Sequence, residues 1–170
     1  LNTMTIRQAN VNDIEKIMKM YNSCVVGMIK IGIDQWDNTY PNKEIILHDI
    51  ENKTFYVLIT DNNIIAGINI DNKQDKTYLA MKWEDEQNLF LVVHRLAVDE
   101  RYWSKGAGKK LMLFAEKLVT KRKLKSIRLD TYNTNIKAIN FYNNLGYKIL
   151  GEIYLKPNKN EYYCFEKLIK

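Results

Sequence analysis

The chain has 170 residues, 46% apolar, 27% charged and 11% aromatic, a composition that fills one core and excludes a disordered tail. No apolar run approaches the roughly 20 residues of a membrane-spanning helix. The opening Leu1-Asn2-Thr3-Met4 lacks the basic stub and apolar segment of a secretory signal, so a single domain over 1–170 is expected, cytoplasmic and with no membrane partner.

A formal charge of +6 suits anionic ligands, a phosphorylated cofactor as well as a nucleic acid. Cys24 and Cys164 show no CxxC spacing, and with only His48 and His94 beside them they predict no metal site. Both fall in apolar periodic segments and read as small buried hydrophobes.

Taken along the chain, Thr5 to Arg7 read as a short strand. Asn12 with Glu15 three residues on resembles a capping box, and Ile14, Ile17, Met18, Tyr21, Val25 and Met28 follow at helical spacing. A second, shorter helix is predicted over 43–52. Phe55 to Thr60 and Ile64 to Ile70 are β-rich runs joined by Asp61-Asn62-Asn63, which predicts an antiparallel hairpin. Residues 71–88 are polar around Tyr78 and Trp83 and read as a long excursion with one strand of its own.

Leu89 to Val98 form a strong strand. Residues 106–123 predict a helix with Ala107, Leu111, Phe114, Ala115 and Leu118 on one face and Lys109, Glu116, Lys117 and Lys123 on the other. Ser126 to Thr131 make the next strand, 136–145 a helix stopped by Gly146, and 147–155 and 161–168 the last strands. The strand, helix and strand from 89 to 131 form a βαβ unit with a parallel pair. The whole predicts an α/β fold: a mixed, mostly antiparallel sheet with a central βαβ unit and helices on both faces.

The segment from Val98 to Lys109 joins that strand to its helix. Small residues at Ser104, Gly106, Ala107 and Gly108 leave the backbone uncovered where N–H groups point out of a helix N-terminus, and Lys105 and Lys109 add charge. A phosphate is expected here. A P-loop is excluded because Trp103 and Lys110 stand where it needs glycine and Ser or Thr, and a dinucleotide fingerprint is broken at Leu111.

Further on stands Asn135-Ile136-Lys137-Ala138-Ile139-Asn140-Phe141-Tyr142-Asn143-Asn144-Leu145-Gly146-Tyr147. With this segment the sequence resembles the GNAT superfamily of acetyl-CoA-dependent N-acyltransferases, whose second motif, Asn-x-x-Ala-x-x-Phe-Tyr-x-x-Leu-Gly-Phe/Tyr, it matches at every specified position. The family's first motif, a strand followed by Arg/Gln-x-x-Gly-x-Gly/Ala opening a helix, falls on Trp103 to Gly108, and the two motifs in this order extend the likeness over essentially the whole chain.

The resemblance implies that Leu96, Ala97 and Val98 pair with the pantetheine arm of acetyl-CoA and that the amides from Trp103 through Ser104, Lys105, Gly106, Ala107 and Gly108 to Lys109 hold its pyrophosphate. It also implies that Asn135 contacts the pantetheine or the adjacent loop and that Tyr142 stands beside the thioester sulfur. Trp103 replaces the usual Arg or Gln and Ser104 the usual glycine, so one cationic or amide contact is missing.

The bond being made requires a neutral amine, an N–H donor for the oxyanion and a proton for the thiolate. Tyr142, with an ordinary pKa near about 10, suits the last role. An amide near Leu96 to Val98 suits the second. Glu84, Asp130 and His94 are candidates for the base, with surface solvation, turn capping and a structural role as their simpler explanations, and ordered water is an alternative to all three. Trp36 and Tyr40, in the acidic and aromatic stretch Ile33 to Pro41, together with Trp83 and Glu84, suit a cationic acceptor.

The expected activity is acetyl transfer from acetyl-CoA to a primary amine of a small molecule or a peptide, by direct attack in a ternary complex. A homodimer is left open, and no nucleic-acid partner is expected, since no stacking aromatics interleave the lysines. The alternatives are a non-catalytic sensor of CoA or another phosphorylated ligand and, third, a basic RNA-binding protein.

Overall fold

A computed structural model describes residues 3–170, so the Leu1-Asn2 of the leader reading lies outside the described residues. The elements in chain order are β1 (Thr5–Gln8), α1 (Ile14–Lys30), α2 (Lys43–Glu51), β2 (Phe55–Thr60), β3 (Asn63–Asp71), β4 (Phe90–Val98), α3 (Ala107–Lys121), β5 (Ser126–Tyr132), α4 (Ile136–Asn144), β6 (Lys148–Ile153) and β7 (Tyr162–Leu168). The strands form one seven-stranded sheet in the order β1-β2-β3-β4-β5-β7-β6. Its β4–β5 pair is parallel, with Phe90 opposite Ser126 and Val92 opposite Arg128. The β1–β2, β2–β3, β5–β7 and β6–β7 pairs are antiparallel. This is the mixed, mostly antiparallel α/β architecture expected from the sequence.

The chain divides into two compact units. The first holds the described residues up to Ile70 together with His94–Leu113, and the second Asp71–Val93 with Phe114–Lys170. The strand β4 and the helix α3 each contribute to both.

In the first unit, the capping box stands two residues earlier than the Asn12–Glu15 spacing suggests and opens a 3-10 turn over Val11–Asp13 that leads into α1. Asn10 and Asp13 make the capping box: the Asp13 carboxylate accepts the Asn10 amide at 2.8 Å, and the Asn10 side chain accepts the Asp13 amide and, at 3.0 Å, the Asn12 amide, while Arg7 clamps the Asp13 carboxylate at 2.7 and 2.8 Å. A bidentate arginine fixes that acid in place, so it outcompetes Asn12 for the role. Ile17, Met20, Tyr21, Cys24 and Met28 then face a core shared with Ile46, Phe55 and Val57. The hairpin turn is Asp61-Asn62, both at positive φ, the geometry in which a two-residue loop follows strand twist.

In the second unit, residues 72–88 contain no strand of their own once β3 has ended at Asp71; they contain one turn of 3-10 helix over Lys76–Ala80. Asp75 starts that turn by accepting the Thr77 amide at 2.9 Å. Tyr78, 1% exposed, then inserts into a cluster with Val92, Tyr132, Tyr162 and Cys164. Burying an aromatic side chain is worth roughly 1.5–3 kcal/mol, which a solvent-facing edge strand would forfeit.

Candidate active site

The loop after β4 is built by a sequence of local locks. Asp99 donates its amide to the Ile65 carbonyl at 2.8 Å, and its carboxylate accepts the Arg101 amide at 3.0 Å and the Arg101 guanidinium at 2.9 Å. Burial opposes the Asp99 charge, yet these hydrogen bonds and that of Ser23 hold its pKa below the usual value. The chain then turns through Ser104 at φ 60° and Gly106 at φ 87°.

Lys110 is the residue that donates to the Gly106 carbonyl, at 3.0 Å, so Ala107, Gly108 and Lys109 are the first-turn residues whose amides have no intrahelical acceptor. Ser104, Lys105, Gly106 and Lys109 are exposed, and a Cβ on Gly106 would meet nothing within 4 Å. Open donors, two lysines and room for close approach fit a diphosphate. Lys105 lies 5.6 Å from the Tyr102 ring centroid, which holds its cation beside the loop.

Trp103 points inward. Its indole Nε1 donates to the Val98 carbonyl at 2.8 Å, and its Cη2 lies 2.9 Å from where a Cβ on Gly27 would sit. That close approach is what the glycine in α1 permits. The Trp103 amide is engaged as well, donating to the Glu100 carbonyl at 3.2 Å. The available donors therefore begin after Trp103.

Within the same unit, β4 carries a backbone kink. Arg95 sits at φ 55°, a left-handed conformation that a side chain rarely adopts unless its surroundings enforce it. Three groups do. Tyr21 donates its hydroxyl to the Arg95 carbonyl; Asp49 accepts from Nε at 3.0 Å and Nη2 at 2.6 Å; and Nη1 donates to the Tyr40 hydroxyl oxygen at 3.3 Å.

Burial works against the guanidinium charge, but Tyr40 and Asp49 outweigh it and hold the pKa above the ordinary arginine value. Tyr21 also packs on Trp36, centroids 5.9 Å apart. The predicted acceptor residues Trp36 and Tyr40 thus gather with Tyr21, Asp49 and Arg95. The last three went unnoticed in the sequence, although an arginine inside Leu91-Val92-Val93-His94-Arg95-Leu96-Ala97-Val98 is a signal that could have found them.

In the second unit, Tyr142 projects from α4 into aromatic neighbours, its ring centroid 5.5 Å from Phe165 and 6.0 Å from Tyr147. Burial, with a smaller push from the Asp130 charge, raises its phenol well above the ordinary tyrosine range. Asn135 caps α4, accepting the Ala138 amide at 3.0 Å. Gly146 ends the helix at φ 89°, and the Tyr147 amide returns to the Tyr142 carbonyl at 3.0 Å, the wrap of a glycine-terminated helix.

Trp83 covers the Arg128 guanidinium at 4.4 Å and donates to the Tyr78 carbonyl at 2.9 Å. Glu84 pairs with Lys148 at 2.9 Å. Cys164 is buried and its thiol is pushed up to about 12, by burial first and then by Asp130 and Asp75; Cys24 is buried in the first unit. Among the described residues no cluster of three or more His, Cys, Asp or Glu is placed to hold a metal, and no helix is long and apolar enough to cross a membrane.

Comparison with known proteins bears on this arrangement. Residues 17–147 match the family model described as Acetyltransferase (GNAT) family. A spermine/spermidine N(1)-acetyltransferase of Bacillus subtilis is 37% identical over 71 residues, which cover 41% of this chain and 47% of that protein; the chain thus spans about half of that relative's length. The crystal structure of a GNAT-family acetyltransferase from Streptococcus agalactiae superposes with a TM-score of 0.84 at 27% identity, covering 98% of this chain and 96% of that one. A PaiA N-acetyltransferase from Thermoplasma acidophilum, solved in complex with coenzyme A, shares the fold at a TM-score of 0.72 and 20% identity, over 98% of this chain and 99% of that one.

Proposed function

The chain belongs to the acetyltransferase (GNAT) family, and we propose that it moves an acetyl group from acetyl-CoA to a primary amine by direct attack in a ternary complex. The acceptor is a small-molecule or peptide amine. The first turn of α3 is the observation that carries this reading: Ala107, Gly108 and Lys109 present amides without intrahelical acceptors behind the left-handed Ser104 and Gly106. Such amides bind the coenzyme diphosphate through several parallel hydrogen bonds, and Lys105 and Lys109 add charge to them. Ser104 supplies an amide, and its hydroxyl faces the same solvent.

Leu96, Ala97 and Val98 extend the donor's arm as a strand would, and an amide in that stretch receives the oxyanion. Tyr142 gives its proton to the departing thiolate. Its raised pKa keeps the phenol protonated wherever the amine is reactive, and the burial that raises it makes the phenol a weaker acid than an ordinary tyrosine. Asn135 acts beside it by fixing the start of α4. Both thiols are buried, and that of Cys164 is held protonated by its surroundings, which supports direct attack over an acyl-cysteine route. Trp36 and Tyr40 offer aromatic faces to the acceptor, and Asp49 neutralises the Arg95 guanidinium beside them.

Thermal unfolding with acetyl-CoA and thiol release over a panel of amines test the reading. Ligand at 100 times its Kd stabilises by about 2.7 kcal/mol. Tyr142→Phe is expected to lose at least ~10²-fold in kcat with acetyl-CoA binding unchanged. In the wild type the raised pKa has a sign that can be checked: the donor keeps its proton, so kcat holds through pH about 10, where an ordinary phenol is half ionised. No stabilisation by acetyl-CoA, or a Tyr142→Phe enzyme of full activity, overturns the assignment.

A further inference from the structure

We propose that Tyr21 is a positioning residue for acyl transfer: its hydroxyl holds the Arg95 carbonyl and thereby aims the N–H of the same peptide unit, that of Leu96, at the oxyanion. The inference rests on the acetyl-transfer reading above and adds to it which amide of β4 receives the charge and what fixes that amide.

Hydrogen-bond direction separates the amides of this stretch. Along a strand, the N–H and C=O of successive residues point alternately to its two edges. The Asp99 amide is committed to the Ile65 carbonyl of β3 at 2.8 Å, so Ala97 faces β3 as well, and Leu96 and Val98 face the opposite edge. The parallel ladder along that edge covers Phe90 to Val92, and Leu96 stands beyond it. Val98 is nearer the diphosphate loop, and its carbonyl already accepts the Trp103 indole at 2.8 Å. Leu96 lies about 6–7 Å further from the loop along the strand, which makes it the amide at the acyl end.

What aims this amide is the carbonyl of the residue before it. A peptide unit is planar and trans, so its C=O and N–H point in opposite directions. Fixing the Arg95 oxygen therefore fixes the Leu96 hydrogen. In a regular strand the ladder does this for every unit. At Arg95, φ 55° turns the unit out of the regular strand, and the Tyr21 hydroxyl donates to its oxygen there. Asp49 and Tyr40 grip the Arg95 side chain, whereas Tyr21 grips the backbone, the part that the reaction uses.

Tyr21 is itself held rigidly. It is 1% exposed, and its ring is braced by Trp36 at 5.9 Å and Phe55 at 6.3 Å between centroids. Burial pushes its phenol well above the ordinary tyrosine range, against the opposing pull of the Arg95 cation. The hydroxyl thus remains a donor wherever the amine reacts.

The step balances. The amine lone pair forms the C–N bond at the thioester carbon, and the carbonyl π pair moves onto oxygen, where the Leu96 N–H stabilises it. As that pair returns, the C–S bond breaks with its electrons on sulfur, which takes the Tyr142 proton, and one nitrogen proton restores the phenol through solvent. One amine and one thioester become one amide and one thiol. An N–H aimed in advance gains strength as charge develops, so misaiming it lowers kcat rather than weakening ground-state binding.

Tyr21→Phe keeps the ring and removes the hydroxyl. Thiol release should show kcat reduced about tenfold or more, with KM for acetyl-CoA unchanged. Infrared difference spectra with carbonyl-labelled acetyl-CoA supply a signature that a merely structural role would not move: the bound thioester C=O stretch should lie higher in Tyr21→Phe than in wild type. Replacing Leu96 by its α-hydroxy analogue turns that amide into an ester, which should cost ~10²–10³-fold in kcat. Wild-type kcat and C=O stretch in Tyr21→Phe, alongside an impaired Tyr142→Phe, overturn the role of Tyr21 alone. A wild type that releases no thiol with any amine overturns the activity instead. Should Tyr21→Phe not fold, the ester decides, since full activity without the Leu96 N–H leaves Tyr21 nothing to aim.

Discussion

Two arginines on β-strands of this chain are paired with acids, and they do different things. Arg95 on β4 has a kinked backbone, one carboxylate, and two tyrosine hydroxyls around it, with 13% of its side chain exposed. Arg128 on β5 has ordinary strand geometry, is 0% exposed, and lies between the rings of Trp83 and Phe90 at 4.4 and 4.0 Å. Its partner Glu166 is at 3.4 Å and equally buried. Glu166 also accepts the Glu84 amide at 2.6 Å, so the pair ties the 71–88 excursion to the sheet. Burial pushes the Arg128 pKa below the ordinary arginine value, whereas Arg95 is held above it. A buried charge flattened between rings and tied to the 71–88 excursion has the surroundings of a scaffold, while one held against phenols on a strained strand stands in the cluster proposed for the acceptor.

The largest effect should come from breaking the scaffold pair. Arg128→Ala leaves Glu166 charged and buried without its cation, a class of change that costs about 3–5 kcal/mol. Urea unfolding should show that loss, and activity per folded molecule should be unaltered. A normal midpoint would mean that Arg128 is dispensable and that the contrast between the two arginines is empty.

Arg95→Lys sharpens the comparison from the other side. It keeps the charge beside Asp49 but cannot maintain the Nε, Nη1 and Nη2 contacts together. Stability should fall by no more than about 1–2 kcal/mol, while KM for the amine rises about tenfold, equivalent to about 1.4 kcal/mol. Equal losses of stability and acceptor binding would place Arg95 with Arg128 as scaffold.

The difference between these regions also explains what could be read from the sequence. Helix spans, the hairpin turn at Asp61-Asn62 and the Gly106 and Gly146 signals are local, so periodicity and turn chemistry reveal them, whereas the cap ahead of α1 stands two residues before the one that local spacing predicts, because Arg7, on β1, fixes Asp13. So are the amides of α3 and the Asn135 to Tyr147 motif. The Arg95–Asp49 pair joins residues 46 apart and Arg95–Tyr40 residues 55 apart, and both depend on a kink that no local pattern announces. The Asp130–Tyr78 bond spans 52 residues and needed the 3-10 turn, which exists because Tyr78 is buried rather than because Lys76–Ala80 favour it. Polar contacts between distant segments are set by tertiary packing, and strand periodicity shows only that one face will carry them.

The smallest effect tests the strain at Ser104, in the loop proposed to hold the diphosphate, against that of Arg95. Ser104 is at φ 60° and exposed, with no hydroxyl bond enforcing the conformation comparable to those around Arg95. A left-handed residue with a Cβ costs about 1–2 kcal/mol, and glycine gives back about 0.4–1 kcal/mol through the freer unfolded chain. Ser104→Gly should therefore stabilise the protein by roughly 0.5–1 kcal/mol, read as a small rise in Tm. Because the amide stays in place, acetyl-CoA affinity should hold or improve. A tenfold weaker affinity would show that the Ser104 hydroxyl itself holds a phosphate oxygen, making the strain at this position, like that at Arg95, a cost of ligand binding.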